Sequence, residues 1–188
     1  MLPVDLQHLI LIPARFIVNK PHILPTGPGV YLFFLRGGSR LLAATNYAEF
    51  SSQRPLSIRG RQYLYTGAAL RLAERLKQHM TSDLTSSSLR LSLLAIERIH
   101  KAISSSGTPA CNVRGEKSLS AWLSANAVVG IELTENPFER ERELLATYPS
   151  PLNIALRREA PYARALSGWR QSTFPPSQPD RARRIRYV

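Results

Sequence analysis

Apolar positions change their spacing along this chain, and each change predicts an element. Residues 29–36 (GVYLFFLR) form an unbroken apolar, aromatic-rich run closed by Gly37-Gly38, the pattern of a buried strand. A return strand is expected over Ser39–Thr45, then a polar loop or poorly formed insertion over Asn46–Arg61, which carries Pro55 and Gly60. Gln62–Thr66 (QYLYT) predicts the next strand, ended by Gly67. From Leu70 to Met80 the period lengthens. Leu72, Ala73, Leu76 and Met80 make one stripe with charged residues opposite, so a helix is expected. A Ser/Thr-rich linker, Thr81–Ser87, leads to a longer helix over Ser88–Ile103 with Leu89, Leu93, Ile96 and Ile103 on one face. Residues 104–116 predict a loop, Ser118–Ser124 a short helix with Trp122, and Asn126–Leu133 (NAVVGIEL) a strand. A final helix, 137–148, opens with Asn136 as N-cap and Pro137 at its first position, and stops before Pro149 and Pro151.

The ends follow a different pattern. Residues 1–28 mix apolar segments with Pro3, Pro13, Pro21, Pro25 and Pro28, which predicts an irregular arm packed on the domain. Residues 157–188 form a basic, Pro/Ser-rich extension, expected to be mobile from Gln171 onward. No internal repeat is visible.

At 188 residues and 44% apolar content, the chain suits one compact domain with tails. The net charge of +12 changes the picture more. Arginine supplies 21 of the 25 basic residues, and planar guanidinium forks suit phosphate oxygens. Nucleic acid is thus a candidate partner, beside membrane surfaces and acidic proteins; an arginine-rich genome would give the same bias. Cys111 is the only cysteine, which excludes an intrachain disulfide and a cysteine-based zinc site. Asp5 precedes the N-terminal apolar stretch and Pro13 and Arg15 interrupt it, so no signal peptide is read there. No run reaches the ~18 apolar residues of a membrane span, and a cytoplasmic location is expected.

Candidate chemistry starts with helix 137–148. At the helical advance per residue, Phe138 and Leu145 lie about 60° and 40° from Glu141, with Leu144 and Tyr148 on the same face. Glu139 and Glu143 point about 160° away. A carboxylate in the middle of an apolar stripe needs a counter-charge or a metal. An ion pair with one of the arginines is the plainer alternative. On helix 70–80, Arg75 and His79 are one turn apart and Arg71 extends the row. Such a row can clamp a phosphate, or simply face solvent.

Two triplets supply context: Gly29-Val30-Tyr31, and Tyr65-Thr66-Gly67 directly before the Arg75 helix. With Arg75 eight and His79 twelve residues after Gly67, then Glu141, Leu144-Leu145, Pro151 and Asn153, the ordered set resembles the GIY-YIG nuclease superfamily over roughly residues 29–156. The chain departs from the pattern at Thr66, usually apolar, and at Ala68, where many members carry Lys or Ser. It also has no His in the Thr81–Ser87 linker.

The resemblance implies an α/β fold, a small, mainly antiparallel sheet of three or slightly more strands flanked by helices. It divides the chain into an arm (1–28), a nuclease-like domain (29–156) and an extension (157–188). It further implies DNA phosphodiester hydrolysis with one divalent ion, Mg2+ or Mn2+, on Glu141. Tyr31 would help take the proton of the attacking water, and the cationic neighbourhood of Arg75 and the metal would activate it. Arg75 would stabilise the phosphoryl charge, Tyr65 and His79 would position phosphate or water, and Asn153 would orient the site. Arg71, Arg181, Arg183, Arg184 and Arg186 are candidates for binding the DNA backbone. The alternative is a catalytically inactive DNA-binding module on the same fold; a scaffold for an acidic protein is a third.

Overall fold

Strand β2 (Gly29–Leu35) is the axis of the molecule, and all seven of its residues are buried. The computed structural model describes residues 6–36, 57–58, 60–81, 86–103, 116–148, 150–154 and 161–173. Along these lie β1 (Ile10–Pro13), α1 (Arg15–Asn19), β2, β3 (Ser57–Ile58), β4 (Arg61–Ala69), α2 (Leu72–Thr81), α3 (Ser88–Ile103), α4 (Glu116–Asn126), β5 (Ala127–Leu133), α5 (Pro137–Thr147) and α6 (Pro161–Thr173). The sheet runs β1-β5-β2-β4-β3, and every pairing is antiparallel. The expected α/β class and flanked antiparallel sheet are therefore present.

Burial on both faces explains why β2 is uniformly apolar rather than alternating. Tyr31, Phe33 and Leu35 belong to a cluster with Ile17, Leu72, Leu76, Leu89, Leu93, Leu119, Leu123 and Leu166, which come from α1, α2, α3, α4 and α6. Val30, Leu32 and Phe34 point the other way, to Leu6, Leu9, Tyr63 and Leu144. Helices therefore cover one face, while α5 and the N-terminal segment close the other.

Three expectations are corrected. The arm is not irregular: β1 pairs with β5 from Ile10↔Ile131 to Pro13↔Val128, and α1 follows directly. Prolines bound the strand here instead of forbidding it, since Pro13 ends an edge strand, where a missing N–H is tolerated. Gly67 does not end the second motif strand, because β4 continues to Ala69 in register with β2. Residues 161–173, read as part of an extension without elements, form α6. It buries Ala163 and Leu166 against α3, and Arg170 bonds Ser88 O and Ser92 Oγ. The helix thus takes in Gln171–Thr173, where a mobile tail was expected. The return strand at 39–45, most of the 46–61 loop, residues 104–115 and the arginines at 181–186 lie outside the described residues. No helix among the described residues is long and apolar enough to cross a membrane.

One irregularity sets up the site. The β2–β4 register shifts between Phe33 and Phe34: Phe33 faces Tyr65, yet Phe34 faces Tyr63. Leu64 is the extra residue of a bulge, and the phase of β4 turns over there. Tyr63 packs with the second cluster, whereas both Leu64 and Tyr65 join the first, the face of Tyr31. The bulged carbonyl is not left bare. Leu64 O accepts the Leu152 N–H at 3.1 Å and the Ser150 hydroxyl at 2.6 Å.

If the arm is part of the core, its buried residues must matter. Ile17 is 0% exposed while its neighbour Val18 is 44% exposed. Ile17→Ala is expected to lower unfolding stability by about 2–5 kcal/mol, and Val18→Ala by no more than about 0.5 kcal/mol. Urea unfolding followed by circular dichroism measures both; similar small losses would show that the arm does not belong to the folding unit.

Candidate active site

The β2–β4 ladder places Tyr31 opposite Gly67. The tyrosine ring lies on that glycine so closely that a Cβ at 67 would stand 2.2 Å from the hydroxyl oxygen. Only a hydrogen fits there. Gly29 is held to its size in the same way, since a Cβ at 29 would meet Glu132 O at 2.5 Å.

Tyr31 is 1% exposed, so its hydroxyl needs a partner inside the protein. It has one: Tyr31 OH and His79 Nε2 are 2.6 Å apart. His79 sits in the last turn of α2, fully buried, with its Nδ1 2.7 Å from Ser87 Oγ. The rings of Tyr31, Phe33 and Tyr65 surround the imidazole with centroids 5.2, 5.6 and 5.7 Å away. Burial first, then Arg75 and Arg90, hold His79 well below the usual imidazole range, so it is neutral. Burial also pushes the Tyr31 phenol well above its ordinary value, with Tyr65 adding to the rise. Arg75 acts in the opposite direction and is outweighed. The cationic neighbourhood expected to activate Tyr31 exists, but in the free protein burial dominates it.

Arg71 and Arg75 differ although they share a helix row. Arg71 lies largely in solvent and pairs with Glu74 at 3.4 Å. Arg75 is half-buried; it donates to Ser86 O at 2.8 Å and Gln78 Oε1 at 2.9 Å, and its guanidinium also interacts with the Tyr31 hydroxyl.

Glu141 faces inward from α5 beside buried Leu144 and Leu145, while Glu139 and Glu143 are exposed, as the helix phase requires. Glu143 pairs with Arg140 at 3.1 Å. The Glu141 carboxylate takes part in no hydrogen bond or ion pair among the described residues. Burial raises its pKa from 4.5 to about 7, opposed by the charge of Arg75. Glu141 acts electrostatically on Arg75, Tyr31 and Tyr63, so it belongs to the same charged locus.

Asn153 grips the backbone of β4. Its Oδ1 accepts the Thr66 N–H at 2.9 Å and its Nδ2 donates to Thr66 O at 2.7 Å. With Ser150 and Leu152 on Leu64 O, the 150–153 segment seals the outer edge of β4 beside Tyr65. The Thr66 departure has a local explanation, because this side chain is fully buried and its Oγ1 bonds the Tyr63 hydroxyl. Ser87, Arg90 and Ser150 were not singled out from the sequence. For Ser87 a signal existed: a serine on the boundary between a linker and an apolar helix is a candidate N-cap.

A family model described as the GIY-YIG catalytic domain matches residues 29–172. Neither the comparison with curated proteins nor that with solved structures finds a match. The matched span takes in all but the last residue of α6, which the resemblance seen in the sequence left out.

Buried Glu141 makes a prediction that is independent of activity. Its carboxyl pKa in the fold, about 7, exceeds the ordinary 4.5. The fold therefore prefers the neutral acid, and this contribution to stability is complete below about 4.5 and lost as pH rises through about 7. Glu141→Gln in chelator should melt at a higher temperature than the parent at pH 8, with the gap closing toward pH 5. A gap that stays constant from pH 5 to 8 would contradict the burial of an ionisable carboxyl at this position.

Proposed function

This chain belongs to the GIY-YIG catalytic-domain family, a nuclease-type family, and from that premise we propose that it is a divalent-metal-dependent endonuclease hydrolysing DNA phosphodiester bonds. One observation carries the proposal: a buried carboxylate, Glu141, without a bonded partner among the described residues, in the electrostatic reach of Arg75 and Tyr31. A buried carboxylate in that condition is costly unless a cation joins it. No group of three or more His, Cys, Asp or Glu gathers among the described residues. A single hard oxygen ligand still fits Mg2+ or Mn2+, because Mg2+ is commonly held by one or two carboxylates with water and substrate phosphate completing its shell.

When bound, such an ion supplies Lewis acidity at the scissile phosphate and stabilises the leaving 3′ oxygen. The remaining roles fall to this chain. Arg75 exchanges its neutral acceptors, Ser86 O and Gln78 Oε1, for phosphoryl oxygens, where charge grows in the transition state. That movement opens the Tyr31 hydroxyl to the attacking water. The water gives its proton to the Tyr31 oxygen while the phenol's own proton passes to His79 Nε2, 2.6 Å away. Burial keeps His79 neutral beforehand, the state able to accept. Tyr65 orients phosphate or water, and Asn153 fixes the strand that carries it. Arg71 and the arginines at 181, 183, 184 and 186 add general attraction to the DNA backbone.

Cleavage of duplex, branched and single-stranded DNA with and without Mg2+ or Mn2+ tests the activity. Glu141→Gln should abolish cleavage while retaining DNA affinity, and Glu139→Gln and Glu143→Gln should remain active. Binding without metal-dependent cleavage on any substrate would leave a DNA-binding module instead.

The two arginines test the division of roles. In single-turnover reactions at saturating protein, Arg75→Ala should lose at least about a hundredfold in rate, while Arg71→Ala loses mainly affinity. Arg75→Lys should rescue poorly, because an ammonium cannot reproduce the planar fork. Equal, affinity-only losses at both positions would remove Arg75 from the chemistry.

A further inference from the structure

Ser87 stands at the start of α3 and makes two kinds of contact at once. Its carbonyl accepts the Leu91 N–H at 3.0 Å and its Oγ accepts the Arg90 N–H at 3.2 Å, so it is the N-cap. The same Oγ lies 2.7 Å from His79 Nδ1. Arg90 fastens this turn to its surroundings. Its Nη1 donates to His79 O and Met80 O, the closing carbonyls of α2, and to Ser120 Oγ on α4.

Hydrogen-bond polarity leaves the ring two arrangements, since a neutral imidazole has one donor and one acceptor. In one, the Tyr31 hydroxyl donates to Nε2, 2.6 Å away, and Nδ1 carries the N–H and donates to Ser87 Oγ, which also accepts the Arg90 N–H. In the other, the Ser87 hydroxyl donates to Nδ1 and Nε2–H donates to the Tyr31 oxygen. The charge of Arg75 beside Tyr31 favours the first, because it turns the phenol proton away from itself, toward Nε2. Among the described residues, the charged and titratable groups around His79 are Tyr31, Tyr65, Arg75 and Arg90.

We propose that Ser87 is a positioning residue which, while capping α3, holds His79 in the Nδ1–H tautomer so that Nε2 stays open to the Tyr31 hydroxyl. The role rests on the endonuclease proposal for its consequence in catalysis, but not for the tautomer itself. Without the Ser87 oxygen the ring can flip or change tautomer and offer Tyr31 an N–H, which blocks the outlet for the phenol proton.

Capping and positioning are separable, because glycine caps a helix nearly as well as serine but has no hydroxyl, and threonine keeps both functions. In the full chain with DNA and Mg2+, Ser87→Gly should cut the single-turnover rate by about 10- to 100-fold, the range typical of groups that orient a catalytic ligand. DNA affinity and melting temperature should stay close to the parent, and Ser87→Thr should restore the rate. The second readout needs neither DNA nor metal. Ring nitrogen chemical shifts of 15N-labelled, assigned His79 should report Nδ1–H in the parent and in Ser87→Thr, and a mixed or Nε2–H form in Ser87→Gly. An Nε2–H tautomer in the parent overturns the proposal, as does a Ser87→Gly variant that cleaves at the parental rate. A parent that cleaves no DNA overturns the endonuclease proposal instead, and the nitrogen shifts then decide the role of Ser87 alone.

Discussion

A tyrosine hydroxyl shut away from water must be hydrogen-bonded, and much of this structure is arranged around meeting that requirement for Tyr31. The residue lies on a strand buried on both faces, so no solvent can serve it. Its partner, His79, is itself fully buried and needs a partner for its second nitrogen, which Ser87 supplies. Ser87 is anchored in turn by its place as the cap of α3. One buried phenol thus fixes the relative placement of the central strand, the end of α2 and the beginning of α3. The ring must also lie flat on the neighbouring strand, which confines position 67 to glycine. The glycine of the second triplet is, in this light, a steric consequence of the tyrosine of the first.

The opposite edge of the same strand pair answers a second requirement. A bulge at Leu64 turns Tyr65 onto the face of Tyr31 but frees a carbonyl and leaves the outer side of β4 open. Ser150, Leu152 and Asn153 take up these groups, two on Leu64 O and one across Thr66. Asn153 lies in sequence after Pro151, and its value follows from where that turn ends: beside the strand, with an amide that matches one backbone donor and one acceptor. Its substitution would be felt at Tyr65 through the backbone. The motif residues of this chain accordingly divide into those that meet at the charged locus, Tyr31, Arg75, His79 and Glu141, and those that hold the strands beside it, Gly67 and Asn153.

Local periodicity made most of the elements legible in the sequence. The β2 run, the α2 and α3 stripes and the phase of Glu141 depend on neighbouring residues, and each emerged where expected. What depended on distant partners did not. β1 exists because β5 has an edge to fill, a fact no pattern in residues 10–13 contains, and the surrounding prolines argued for irregularity. The weakly amphipathic α6 gains its buried face only against α3. His79 looked like a companion of Arg75 on a basic row, although one turn further along α2 the same row has gone beneath the sheet residues Tyr31, Phe33 and Tyr65. Ser87 was invisible as a site residue because its partner, His79, lies eight positions away on the preceding helix.

The charges that remain explain how such a site can be stable before it is used. Arg75 and Arg90 are cationic, whereas burial keeps the phenol of Tyr31 protonated, His79 neutral and Glu141 titrating near about 7. Near neutral pH the described residues of the locus therefore carry an excess of positive charge, and Glu141 is only partly ionised. Fully charging Glu141 without a cation would cost desolvation that Arg75 only partly offsets, as the direction of its shift shows. The excess is well suited to a phosphate, which brings negative charge to Arg75 without asking any buried group to ionise first. In the proposed endonuclease a cation at Glu141 would compete with the carboxyl's proton, so that proton release and cation binding would be linked. In that enzyme, anion capture would fall to Arg75 and cation capture to Glu141. The neutral Tyr31–His79–Ser87 chain stands beside them.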